Sequence, residues 1–149
     1  MTSVSQLPAP QYAVVEAVPS KTGALAESGE NYLEAILVIK ARNEAGIVRA
    51  IDIANELGLS KPSVSRGLAQ LKEKGLIKIV SSGAILFTPE GQSVASGVFE
   101  RHQLLTVFLQ HIAKVPLDQA EHDACRIEHV ISAQTMAGIK NYMEEQGLL

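Results

Sequence analysis

One cysteine, Cys125, stands in a chain of 149 residues. A lone thiol excludes an intrachain disulfide framework and fits a reducing cytoplasm, which is the expected location. No run of eighteen apolar residues occurs, so no membrane-spanning helix and no membrane partner are expected. The opening residues, MTSVSQLPAP, lack the basic and apolar regions of a secretory signal. Net charge is a mild −3, so there is no global basic surface for nucleic acid, although local patches are averaged out in that figure. There is also no HExxH, no Gly-rich phosphate loop and no ordered Ser-His-Asp set, which argues against an enzyme. What remains is a chain that is 46% apolar and can bury a core in one compact domain or two small ones.

Residues 1–28 are rich in Pro, Ser, Ala and Thr and read as a flexible N-terminal arm, with an extended piece at Tyr12–Val15. The pattern then changes. Tyr32, Leu33, Ile36, Leu37 and Ile39 follow a helical period over Glu30–Arg42, with Ser28 as N-cap. A short helix follows over Val48–Leu59, with Gly58 at its C-terminal turn. Ser60 caps the next helix, Pro62 sits in its first turn, and it stops at Gly75. Residues 76–80 and 84–88 read as two strands around a Ser-Ser-Gly turn. Helix, turn, helix and hairpin in that order predict a winged helix-turn-helix over residues 29–88. Residues 89–149 read as an all-helical domain: a long helix to about Ala113, one opened by Pro116, and one capped by Ser132. The fold expected is therefore mainly α with a small β-hairpin wing.

Charge is distributed to match. Between residues 46 and 80 there are six bases against three acids, a local +3 in a chain of −3. Lys61, Ser63, Ser65 and Arg66 gather with Ser60 and Pro62 at the start of the second helix of the pair. A recognition helix presents its side chains to the major groove there. Arg49 and Lys72 extend the basic face. Lysines and serines suit phosphates, and Arg66 suits a base edge. The bland alternative is a merely solvated basic face.

The second constellation is Cys125, Glu128 and His129. On a helix, residues i, i+3 and i+4 share a face, and thiolate, carboxylate and imidazole are ligand types for a divalent transition metal. The alternative is a small buried cysteine beside a solvated Glu128 and His129. Three ligands on one helix rarely complete a site.

Here the sequence resembles the diphtheria toxin repressor family of metal-activated winged-helix repressors, which includes the manganese transport regulators. The resemblance spans roughly residues 28–146. It rests on Glu30-Asn31-Tyr32-Leu33-Glu34, Leu59 through Ser65, Thr88-Pro89-Glu90-Gly91, Glu100-Arg101-His102 and Asp123 through Val130. It implies a homodimer that binds a palindromic double-stranded operator when Fe(II) or Mn(II) is abundant and represses metal-uptake genes. By position it implies a metal site of Asn31, Glu34, His102, Cys125, Glu128 and His129. Asn31 stands where iron-type members have methionine and manganese-type members aspartate, while Cys125 agrees with the iron type. Glu121, with His122 beside it, stands where the ancillary site has a histidine, and Thr106 stands where that site has a glutamate. The SH3-like domain of longer members is not expected. The rival reading is a winged-helix regulator that senses a small organic ligand or redox state through Cys125. A winged helix used only for protein contacts is a third.

Overall fold

The computed structural model describes residues 27–149, so the expected arm lies almost wholly outside the described residues. The elements follow the expected order. Helix α1 (Glu27–Arg42) is followed by α2 (Ala50–Leu57) and α3 (Lys61–Glu73), then strands β1 (Ile77–Ile79) and β2 (Ile85–Phe87). Helices α4 (Pro89–His111), α5 (Leu117–Ile127) and α6 (Ala133–Glu145) complete the chain.

The local chemistry explains most boundaries. Gly58 takes a left-handed φ of 64°, open to glycine at no steric cost, and ends α2. Ser60 caps α3 by accepting from the Ser63 N–H at 3.3 Å. Thr88 does the same for α4, accepting from Gly91 N–H at 3.0 Å. Its hydroxyl also donates to the Gly75 carbonyl at 2.7 Å, so one threonine joins the end of α3 to the start of α4. Ser132 caps α6 through Thr135 N–H.

Two expectations need correction. α1 is already helical at Glu27, so Ser28 lies inside its first turn and does not cap it. The second helix is shorter than Val48–Leu59, because Val48 lies in the segment before α2 and its carbonyl accepts from Ile85 N–H at 2.7 Å. That long-range bond attaches the segment before α2 to the hairpin, which helical periodicity alone could not reveal. Arg49 N–H then donates to the Asp52 carboxylate, which sets the start of α2.

β1 and β2 pair antiparallel, with Ile77 opposite Phe87 and Ile79 opposite Ile85. Their inward residues Ile77 and Ile85 join α1–α3 in one core built on Leu33, Ile36, Ile53, Val64 and Leu71. A second, smaller core holds Leu105, Ala124 and Met136. Helix α4, about 35 Å long at 1.5 Å per residue, runs through both: Ala95 belongs to the first and Leu105 to the second.

α1 and α3 approach closely at one point. Gly67 of α3 faces the Tyr32 ring, and a Cβ at that position would overlap it. Tyr32 also donates its hydroxyl to the Ser63 carbonyl at 3.4 Å. Gly67→Ala should therefore destabilise the protein by about 1–3 kcal/mol through overpacking, despite alanine's better helix propensity. Urea unfolding measures this, and combining the change with Tyr32→Ala should recover part of the loss. Equal stability of Gly67→Ala and the parent would show that the ring moves aside freely.

Candidate metal centre

Three helices converge where the two cores meet. α4 contributes His102, the end of α5 contributes Cys125, Glu128 and His129, and α1 contributes Glu30, Asn31 and Glu34. One ligand atom each from His102, Cys125 and Glu128 lies within 4.8 Å of the others. His102 Nδ1 is 3.3 Å from Glu128 Oε2 and 3.7 Å from Glu34 Oε1.

The spacing argument for α5 holds for two residues and changes for the third. Cys125 lies in the helix, and Glu128 at its C-cap keeps helical angles (φ −57°, ψ −26°), so both keep the shared face. His129 falls in the turn beyond and meets α1. Its Nδ1 contacts the Glu30 carboxylate, and its Nε2 lies 3.0 Å from Asn31 Oδ1 and 3.4 Å from Glu128 Oε1. Neither Glu128 nor His129 is solvated, with side chains 0% and 2% exposed.

Glu128 is the anomaly that gives the site its character. Both of its buried carboxylate oxygens lack a hydrogen-bond partner among the described residues, and so does His102 Nδ1. A buried carboxylate without compensation costs several kcal/mol. Neither His102 nor Arg101 hydrogen-bonds that carboxylate, and a divalent cation is what carboxylate, imidazole and thiolate together accept. The residues present fit such an ion.

The electrostatics agree. Burial, then the negative charge of Glu128, pushes Glu34 up from 4.5 to about 7, with His102 pulling the other way. His102 is raised above 6.5, first by the Glu128 carboxylate and against its own burial, with Glu34 adding to the rise.

Glu121 and His122 are both exposed and stand outside this cluster. Glu121 does line, with His102, an open groove of about 1030 Å³ against α4, α5 and α6. Thr106 is buried and donates its hydroxyl to the His102 carbonyl at 2.8 Å, so it acts as part of the helix. Two residues at the centre had no role assigned from sequence. Glu30 contacts His129, and Arg101 reaches both Glu30 and the Glu128 carbonyl. Glu30 and Glu34 are four apart on α1, so the helical spacing rule could have paired them.

At the other end of the chain, Arg49, Ser60, Lys61, Pro62, Ser65, Arg66 and Lys72 are exposed and Ser63 is half-buried. Arg66 donates to Ser63 Oγ at 3.3 Å, and Ser60 donates to the same oxygen at 2.8 Å. Arg49 Nε faces the Ser82 carbonyl of the wing turn at 3.4 Å.

Residues 24–85 match the family described as iron dependent repressor, N-terminal DNA binding domain. Residues 88–146 match iron dependent repressor, metal binding and dimerisation domain. The chain is 31% identical over 118 residues to the transcriptional regulator MntR of Escherichia coli O6:H1, covering 79% of this chain and 74% of that one. It is 36% identical over 110 residues to the diphtheria toxin repressor of Corynebacterium glutamicum, covering 72% of this chain and 46% of that one. A solved manganese-dependent transcriptional repressor in complex with manganese superposes with a TM-score of 0.71 at 26% identity, covering 81% of this chain and 53% of that chain. The chain thus spans about half the length of the last two. Among the described residues, no helix is long and apolar enough to cross a membrane.

Both raised groups bear on stability in one direction. Glu34 and His102 hold protons more tightly folded than unfolded, so their contribution is full at low pH and is lost as pH rises through the folded values. The melting temperature of metal-free protein in chelator should therefore fall between about pH 5 and 8. Glu34→Gln should flatten that fall. Saturating Mn(II) should make stability rise over the same range, because ligands bind it deprotonated.

Proposed function

The chain belongs to the iron-dependent repressor family, and from that premise we propose that it is a repressor activated by Fe(II) or Mn(II). It binds a palindromic operator in the cytoplasm as a homodimer and controls metal-homeostasis genes. The observation that carries the reading is the buried Glu128 carboxylate, without a hydrogen-bond partner and facing His102, Cys125 and Glu34. We place the DNA-binding part from the start of α1 at Glu27 to residue 88 and the metal-binding and dimerising part at 89–149. The two cores supporting this division meet along α4.

Glu34, His102, Cys125 and Glu128 form the centre of the metal site, with Asn31 and His129 on the α1 side. A bound divalent cation supplies the positive charge that these closely spaced carboxylates lack. Without it, burial and the negative charge of Glu128 keep a proton on Glu34 near neutral pH. With the charges balanced, an ionised Glu34 holds α1 against α4 and α5. α1 in turn bears on α3 through Tyr32, Gly67 and the Ser63 carbonyl. The position of α1 therefore sets the position of the recognition helix, and in a homodimer it sets the match of two such helices to successive major-groove turns. Lys61 and Ser65 meet phosphates there, and Arg66 meets a base edge. The groove beside α4, α5 and α6, lined by Leu104, Leu117 and Met136, supports the dimer face. Glu121 and His122 remain the candidates for an ancillary metal. Cys125 favours iron and Asn31 offers an uncharged oxygen suited to a hard cation, so both metals stay in the proposal.

Anaerobic binding to a family-type palindromic DNA, with Fe(II), Mn(II) and Zn(II) titrated separately against a chelator control, tests this. Tight binding should require metal, and Glu34→Ala should lose most of the metal-dependent gain. Equal binding in chelator would overturn metal activation and favour an organic or redox signal at Cys125. Arg66→Ala should cost about 1–3 kcal/mol and relax preference at one base position. Lys61→Ala should weaken all sequences alike and reduce the salt slope by about one.

A further inference from the structure

Glu30 and Arg101 have no part in the ligand set, yet they join all three helices at the centre. Arg101 of α4 places Nη2 3.4 Å from Glu30 Oε2 and donates from Nε to the Glu128 carbonyl at 3.3 Å. The same Glu30 oxygen faces His129 Nδ1, and the His129 side chain is only 2% exposed. We propose that Glu30 is the positioning residue for His129, with Arg101 fixing Glu30, so that the imidazole presents Nε2 to the metal. This rests on the metal-sensing reading above.

The argument is one of donors and acceptors. A neutral imidazole carries one N–H. A carboxylate can only accept, so Glu30 keeps that hydrogen on Nδ1 and leaves the lone pair on Nε2. Nε2 is the nitrogen that points into the ligand cluster, with Asn31 Oδ1 at 3.0 Å and Glu128 Oε1 at 3.4 Å, two oxygens that a cation can share with it. The structure has Asn31 Oδ1 toward Nε2 at 3.0 Å; turning the carboxamide over gives its N–H₂ to the lone pair of metal-free protein, while the orientation seen gives its oxygen to a cation. An aspartate could do only the second. Outer carboxylates that hold a histidine in this way govern metal affinity by about 10–100-fold. Arg101 also orients Glu30 beside the Glu34–Glu128 pair, since its guanidinium, a permanent positive charge, lies 3.4 Å from Glu30 Oε2.

Two readouts on full-length protein decide it. The first is the His129 tautomer in metal-free protein from ¹⁵N–¹H long-range correlation spectra, which needs no metal. The second is anaerobic Mn(II) affinity by competition with a chromophoric chelator. The parent should show the Nδ1–H form. Glu30→Ala should shift the ring toward Nε2–H and weaken Mn(II) binding about 10–100-fold. Glu30→Gln, whose amide oxygen still accepts from Nδ1, should keep the tautomer and most of the affinity, a rescue that a loss of folding would not give. An unchanged tautomer in Glu30→Ala, or Glu30→Gln as impaired as Glu30→Ala, would overturn the proposal. Glu128→Ala separates the two levels. If the parent binds Mn(II) no better than Glu128→Ala, the metal-sensing reading fails, while the tautomer still decides the role of Glu30.

Discussion

The rest of the structure depends on a buried carboxylate whose oxygens find no hydrogen-bond partner among the described residues. Glu128 ends α5 between α1 and α4, and its neighbours are His102, Glu34 and Cys125. An apolar residue there would close the core without difficulty. A carboxylate instead leaves the contact between the two halves dependent on a positive charge from outside the chain or on protons. Burial raises the proton affinity of Glu34, so protons can relieve the repulsion but do not bridge three helices as a cation would.

Packing gives that local imbalance a long reach. α1 carries Glu30, Asn31 and Glu34 on the side facing the metal centre and Tyr32 toward α3. The notch at Gly67 leaves the Tyr32 ring little room to slide, because interiors are close-packed and respond to displacement as units. α4 is the common reference. Thr88 and Gly91 bind its start to the backbone at Gly75 and Leu76, and its later turns carry Arg101 and His102.

Much of the architecture was legible without coordinates. The five elements of the DNA-binding half were readable in order because Gly58, Ser60, Pro62 and Gly83 act through local chemistry. Ser28 reads as a cap in sequence but lies inside α1, because helical periodicity does not mark how far a helix extends upstream. Val48 fits the helical pattern but lies outside α2, because its partner, Ile85, lies across the hairpin. Cys125 and Glu128 were readable as a pair from their spacing. Their union with Glu34 and His102 came from resemblance, since nothing local to either segment names the other.

By itself the sequence determined the helices, the wing, the basic start of α3 and the ligand types available, because caps, periodicity and charge patterning are properties of neighbouring residues. Only the tertiary structure decided that Glu128 is buried without a hydrogen-bond partner, that His129 turns from its helix toward α1, and that Glu30 and Arg101 stand behind it. Burial and charge pairing arise between segments far apart in the chain, and a charged residue read alone is expected at the surface.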